Sequence, residues 1–285
     1  MLALCLQAHG NAFGKGDIGA AVELAKLIAD IEEDYRSDCF FMCVFSKKCP
    51  IDMRNACVQA LSTKFKTIGY IARNDAEGHP YGSNMLWLSA LTEAEGQWNE
   101  HQKVPKNRGS FPYNGVLTFE PDCVPLRKDW ISALTKEWNE RVIAAGEWND
   151  EEANPEQGKN AGWPKYEVMG HRDDRPGNEH INGNMILRPD IRQRHTWVTR
   201  FTTNLGWDFC NKEQYLKVGL DTNLILQHYK RGVISRVEMP HLIKNGVSPA
   251  LYHGVQGKVG QDARRFVREQ LVEKGAASFA QEMVA

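Results

Sequence analysis

The feature that most limits the fold of this chain is its opening rhythm, in which short apolar runs alternate with stretches of helical periodicity. Leu2–Leu6 is closed by the turn-forming HGNAFGKG and reads as a buried strand, since the run is too short for a helix. Asp17 is placed to cap a helix over Ala20–Ile31, where Val22, Leu24, Ala25, Leu27, Ile28 and Ile31 recur at helical spacing. Cys39–Phe45 reads as a second strand, 52–65 as a helix, and Thr67–Ala72 as a third strand. Asn84–Ala94 is a helix after the turn DAEGHPYGS. Apolar strands separated by helices pair in parallel, with the crossover helices covering both faces of the sheet. The expectation is an α/β fold with a central, mostly parallel mixed sheet flanked by helices.

The rest of the chain is less regular. Gln97–Pro112 is polar and basic and reads as a loop, and Gly115–Phe119 as a strand ending at Glu120-Pro121-Asp122. Trp130–Ala144 carries Trp130, Leu134, Trp138 and Val142 on one helical stripe. Residues 146–165 are acidic and rich in Asn, Gly and Pro, as in an insertion or a mobile loop. Further strands are expected at Tyr166–Gly170, Ile181–Leu187 and Ile234–Met239, and helices at Lys212–Gly219, Asp221–Lys230 and Asp262–Lys274.

With 285 residues the chain can be two domains or one large one, and it can bury a full core without disulfides or a structural metal. A net charge of −1 excludes a globally basic, histone-like binder but leaves room for a local basic patch. The seven cysteines form no CxxC pair, so they read as reduced thiols, several of them in a strand, rather than as a zinc or redox site. The N-terminus lacks a basic region before its apolar run. The longest apolar stretch, Cys39–Phe45, is far shorter than the ~20 residues a membrane span needs. A cytoplasmic protein without a membrane segment is expected.

Two motifs invite a reading and fail it. Gly14-Lys15-Gly16-Asp17-Ile18-Gly19 fits GxGxxG, but seven residues separate it from the first strand, whereas a dinucleotide site needs the glycine at the strand end. It reads better as a glycine loop leading into a helix. His171-Arg172-Asp173 with Asn178 has the spacing of a kinase catalytic loop. The other kinase motifs are missing and too little chain follows, so the segment reads as a polar loop facing a substrate.

The strongest signal is Val116-Leu117-Thr118-Phe119-Glu120-Pro121-Asp122. A hydrophobic strand delivers two carboxylates to the carboxyl edge of a parallel sheet, where open α/β folds bind ligands. Two hard oxygen donors there suit Mg²⁺ or Mn²⁺, which can bridge nucleotide phosphates. The same acids could instead cap the following helix.

With these residues in place the chain resembles the GT-A class of nucleotide-sugar glycosyltransferases, whose acidic DxD motif ends a strand in this way. Here the motif is Glu120-Pro121-Asp122, a departure at the first acid. The resemblance spans residues 1 to about 260 and implies a Rossmann-like GT-A fold that binds a nucleotide-diphosphate sugar, a UDP-sugar foremost, with Mn²⁺ or Mg²⁺. It implies Asp122 and His253 as metal ligands, with Glu120 acting through water or the ribose. His180-Ile181-Asn182-Gly183-Asn184 resembles the loop that shapes the sugar pocket, which makes Asn182 and Gly183 donor contacts. Gly219-Leu220-Asp221, read as opening a helix, resembles the position of the late acid, so Asp221 becomes the candidate base, with Asp208 second. Tyr252–Lys258 resembles the C-terminal His-Gly segment, in which Lys258 meets the diphosphate. Gln7 and His9 stand where the class contacts the nucleobase, and Arg73, Asn74 and Asn84 where it touches ribose and phosphate.

For the acceptor, Arg188, Arg192, Arg194 and Trp197 lie in one short stretch. Arg264, Arg265 and Arg268 add a basic helical face, and Lys103, Lys106 and Arg108 mark the polar loop. Arginines beside an aromatic suit phosphates and an exposed base. The chain also resembles bacteriophage glycosyltransferases that add sugar to hydroxymethylated pyrimidines, which implies DNA as a possible acceptor. A saccharide or protein acceptor, a non-catalytic nucleotide-sugar binder and a nucleotidyltransferase are the rivals. The expected layout is one domain over 1–285, with a donor half at 1–125, an acceptor half at 126–260 and a C-terminal helix at 261–285.

Overall fold

The structure is a computed structural model and describes residues 1–10, 16–72, 81–103, 113–143, 166–177, 179–194, 205–227, 242–243, 246–254 and 257–274. The first half alternates as expected: β1 (Leu2–Ala8), α1 (Ile18–Ile31), β2 (Arg36–Phe45), α2 (Ile51–Ser62), β3 (Phe65–Ile71), α3 (Ser83–Lys103) and β4 (Gly115–Phe119). Then come β5 (Cys123–Pro125), α4 (Trp130–Trp138), β6 (Val168–Asp173), β7 (His180–Leu187), α5 (Ile191–Arg194), α6 (Trp207–Cys210) and α7 (Lys212–Val218). The last elements are β8 (Gly219–Asp221), β9 (Ile225–Gln227), β10 (Leu251–His253) and α8 (Gly257–Arg268).

Among the described residues, seven strands form one sheet in the order β3-β2-β1-β4-β7-β6-β8, and a small sheet runs β5-β10-β9. In the large sheet only β7 opposes its neighbours; the other pairs are parallel. The expected fold class, a mostly parallel mixed sheet flanked by helices, is therefore what forms.

Alternation of side chains along the strands divides the core in two. Leu2, Leu4, Leu6, Leu117, Phe119 and Ile186 face α1, α2, α4, α8 and the small sheet. Ala3, Cys5, Val116, Met185 and Leu187 face α3, α6 and α7. On that second face Trp87 of α3 and Trp207 of α6 stack at 4.4 Å and 12°. None of the seven cysteines forms a disulfide, and all but Cys210 are buried.

Several expectations need correction. Helix α3 continues to Lys103, so 97–103 is helical rather than a loop. The polar composition hid this helix, although Gln97 still bonds Met42 and Tyr70 of the sheet. His171-Arg172-Asp173 belongs to β6 and is not a loop. Asp221 ends a strand rather than opening a helix, and Ile225–Gln227 is also a strand. Both strands have three residues and take their conformation from their partners β6 and β10, which their own periodicity cannot reveal. Asp17 begins α1 only through its backbone carbonyl, since its carboxylate turns back to His9. The strand expected at Ile234–Met239 and the insertion at 146–165 lie outside the described residues.

Candidate metal centre

Strand β4 is buried along its whole length, so the first side chains free to emerge from the sheet edge are those just past Phe119. Pro121 has no N–H to continue a ladder. The chain turns there, with the Cys123 N–H donating to the Glu120 carbonyl at 3.1 Å, and re-enters the fold as β5. β5 pairs antiparallel with β10 so that Cys123 faces His253. Gly254 follows at φ +114°, a conformation other residues avoid, and its N–H donates to the Asp122 carbonyl at 3.2 Å.

This pairing brings three groups together from distant parts of the chain. His253 Nε2 lies 3.0 Å from Asp122 Oδ1 and 3.3 Å from Glu120 Oε2. Glu120, Asp122 and His253 each offer a donor atom within 4.8 Å of the others. Glu120 is the open member, its side chain 39% exposed, against 15% for Asp122 and 11% for His253. Burial alone would push the imidazole pKa down, but the Asp122 and Glu120 carboxylates outweigh it and hold His253 up at about 10. The cluster thus already stabilises a positive charge at this point. Two carboxylates and one imidazole are a donor set that fits Mn²⁺ or Mg²⁺. Glu120, for which the resemblance implies a contact with water or the ribose, offers a carboxylate oxygen within 4.8 Å of the donor atoms of Asp122 and His253.

The neighbouring strand end adds a histidine–carboxylate pair. β1 runs beside β4 with Leu6 opposite Phe119, so His9 emerges on the same edge. His9 Nδ1 is 2.8 Å from Asp17 Oδ2, and its backbone N–H donates to Asp17 Oδ1 at 2.6 Å. The Asp17 hydrogen bond, against burial and with help from the Glu120 charge, raises the His9 pKa. Gln7 is buried within β1.

On the other side of β4, Asn182 Oδ1 accepts from both the backbone N–H and the side-chain Nδ2 of Asn184. Asn184 closes the segment that resembles the sugar-pocket loop, which is here part of strand β7, and no role of its own was foreseen for it. It is fully buried, and its Oδ1 accepts the Glu120 N–H at 2.9 Å. Two amides at i and i+2 in an otherwise apolar strand were the signal that could have found it. Gly183 is required by close approach, because a Cβ there would lie 2.8 Å from Cζ2 of Trp207.

The other expected residues lie apart from this cluster. Asp221 is on the same carboxyl edge, with its Oδ1 accepting the Arg172 N–H at 2.9 Å. It stands three strands from β4, about 14 Å to the side. Asp208, on α6, is 3.8 Å from His180 Nε2. Asn84 is buried and donates to the Leu205 carbonyl at 3.1 Å. Lys258 is exposed on the first turn of α8, 3.1 Å from Asp262. Arg73, Asn74, Trp197 and the side chain of Arg194 lie outside the described residues, as do Lys106 and Arg108.

The expected basic faces are occupied by acids. Arg188 pairs with Asp190 at 3.1 Å, and Arg192 with Glu95 at 3.5 Å. Arg265 pairs with Asp262, and Arg268 with Asp30. Arg264 is buried; it holds Glu23 at 3.0 Å and donates to the Pro121 carbonyl at 3.3 Å. It therefore supports the acid turn from within and presents no cation to solvent.

No protein-family model matches the chain, and no curated protein matches it in sequence. Solved structures do resemble it. Mouse xyloside xylosyltransferase 1 aligns with a TM-score of 0.50 at 12% identity, covering 89% of this chain and 97% of that one. The galactosyltransferase LgtC, solved with donor and acceptor sugar analogs, aligns with a TM-score of 0.52 at 11% identity, covering 99% and 96%. The glycosyltransferase GlyE of Streptococcus pneumoniae aligns with a TM-score of 0.51 at 9% identity, covering 98% and 65%. At such identities the likeness speaks of architecture: the chain has the GT-A glycosyltransferase fold, with a carboxylate–histidine cluster at the end of its central strand.

Proposed function

We propose that this protein is a glycosyltransferase that moves a sugar from a nucleotide-diphosphate sugar, a UDP-sugar foremost, to a hydroxyl acceptor with Mn²⁺ or Mg²⁺. The observation that carries this reading is the meeting of Glu120, Asp122 and His253 at the carboxyl end of β4. In an open α/β sheet that edge is the ligand-binding edge.

Glu120, Asp122 and His253 would hold the cation, which when bound supplies positive charge to stabilise the departing diphosphate. His253 must release the proton on Nε2 before that nitrogen can ligate. His9, held by Asp17, stands one strand over and with Gln7 would meet the nucleobase side of the donor, as the resemblance implies. Asn182 and Gly183 lie on the sugar side, with Trp207 closing the space behind Gly183. Arg73 and Asn74 keep the ribose and phosphate contacts that the resemblance implies. Asn84 points to the 205 loop, so its part is to fix the start of α3. Asp221, whose carboxylate accepts the Arg172 N–H, would take the proton of the attacking hydroxyl, the role the resemblance implies. Lys258 would have to leave Asp262 to reach the diphosphate.

The test is a donor screen with Mn²⁺ that reads nucleoside diphosphate release, with saccharide, protein and hydroxymethylated DNA as acceptor arms. Metal-dependent release that disappears in Asp122→Ala supports the reading. Release of pyrophosphate would identify nucleotidyl transfer instead, and donor binding without turnover would identify a binding protein. The DNA arm requires Arg188 and Arg192 to exchange their acids for phosphates, and a saccharide acceptor makes no such demand.

A further inference from the structure

We propose that Asn184 is a positioning residue of the metal centre: its side-chain amide fixes the backbone of the acid turn, so that Glu120 and Asp122 are presented together. The inference rests on the metal reading of Glu120, Asp122 and His253.

Asn184 lies on β7 beside β4 and is fully buried, with buried Met185, Ile186 and Leu187 following it. An amide in such surroundings is costly unless each of its polar atoms is bonded. Here the Oδ1 accepts the Glu120 N–H at 2.9 Å and the Cys123 S–H at 3.1 Å. The Nδ2 donates to Asn182 Oδ1 at 3.0 Å, and the Asn184 backbone N–H reaches the same oxygen at 3.1 Å. A flipped amide would set N–H against N–H at Glu120 and oxygen against oxygen at Asn182, so one orientation is selected.

The placement of this bond is informative. The β4–β7 ladder is registered from Val116↔Leu187 to Thr118↔Met185. Just beyond it, a side chain rather than the backbone of β7 reaches the Glu120 N–H. The other backbone acceptors of the turn are met from elsewhere: Cys123 N–H on the Glu120 carbonyl, Arg264 on Pro121 and Gly254 on Asp122. Asn184 thus holds the amino side of the turn, where rotation of the Glu120 peptide would swing the first acid away from His253. Groups that orient metal ligands from behind typically change metal affinity by about 10–100-fold when removed.

The test uses the full chain and Mn²⁺ alone. Titration calorimetry, amide hydrogen exchange of Glu120 in the metal-free protein and thermal denaturation are measured for the parent, Asn184→Ala, Asn182→Ala, Thr118→Val and Asp122→Ala. Thr118 is the control, because its hydroxyl donates to the Gly183 and Met185 carbonyls at 3.1 and 3.3 Å in the same seam without touching the turn. Asn184→Ala is expected to weaken Mn²⁺ binding by about 10–100-fold and to speed exchange at Glu120. Asn182→Ala should do both more mildly, and Thr118→Val should lower the melting temperature without moving Mn²⁺ affinity. The proposal is overturned if Asn184→Ala binds Mn²⁺ like the parent while Asp122→Ala does not. It is also overturned if Thr118→Val loses as much affinity as Asn184→Ala. If Asn184→Ala does not fold, Asn182→Ala decides: faster exchange with weaker binding supports the proposal, and no change in either overturns it. A parent that does not bind Mn²⁺, or an Asp122→Ala variant that binds equally well, sinks the metal reading itself and the proposal with it.

Discussion

The two sides of β4 are built on different rules. Toward β1, β2 and β3 the strands are parallel, and the β1–β4 register advances one for one from Leu2↔Gly115 to Leu6↔Phe119. Leu2, Ala3, Leu4, Cys5 and Leu6 are all fully buried there. Toward β7, β6 and β8 the first neighbour is antiparallel; each side carries a register slip, between Gly170 and Arg172 in β6–β7 and between Arg36 and Phe40 in β2–β3. That side also buries Thr118, His171, Asp173, His180, Asn182 and Asn184. Apolar burial is non-directional and supplies stability wherever it occurs, whereas buried amides and carboxylates are tolerated only in fixed geometry. The parallel, apolar side is therefore the floor of the molecule. The polar side aims the acid turn that projects from the strand between them.

If that division is right, substitutions on the two sides should fail differently. The largest effect should come from Asp122→Ala, which is expected to bring Mn²⁺ binding below detection by calorimetry while the protein stays folded. Leu4→Ala, on the floor, should do the converse. It should cost about 2–5 kcal/mol in chemical denaturation, with the Mn²⁺ affinity of the folded protein unchanged. A loss of metal affinity in Leu4→Ala would erase the distinction.

Gly183→Ala belongs to the polar side but acts through sterics. The added methyl meets the Trp207 ring, and the expected cost is about 1–3 kcal/mol with a raised donor KM. An unchanged KM would remove Gly183 from the sugar side.

The His9–Asp17 pair gives a pH signature. Its hydrogen bond raises the folded His9 pKa above the unfolded value, so the stabilisation is fully present below the unfolded pKa and is lost as pH rises through the folded one. The difference in urea midpoint between the parent and His9→Gln should be widest near about pH 6 and close as the solution becomes basic. A gap that widens with pH would contradict the assignment. The smallest effect is expected from Arg192→Ala, where loss of the Glu95 pair should cost about 1 kcal/mol or less. A large fall in DNA binding in that variant would return the arginines to the acceptor argument.

Legibility in the sequence follows the same line. Strands β1, β2 and β4 were readable from their short apolar runs, Leu2–Leu6, Cys39–Phe45 and Val116–Phe119, and α1 declares itself by periodicity. Glu120 and Asp122 were readable as acids ending such a run. His253 was reached only through resemblance, since nothing near residue 253 announces that β10 lies beside β5. Arg264 was read as a surface cation because its helix looks basic, yet Glu23 and Pro121 draw it inward. The Asp221 strand was misread because three residues carry no periodicity of their own. These errors share a cause: each residue takes its environment from a partner far along the chain.

Arg264 joins α8 to Glu23, 241 positions earlier, and to Pro121, 143 positions earlier. During synthesis the two acids emerge long before the histidine that faces them and the arginine that braces their turn. A nascent chain can build its parallel floor early, but the turn that carries Glu120 and Asp122 is not braced until α8 has left the ribosome. A cation in the surrounding solution would meet all three donors only after His253 has been added to the growing chain.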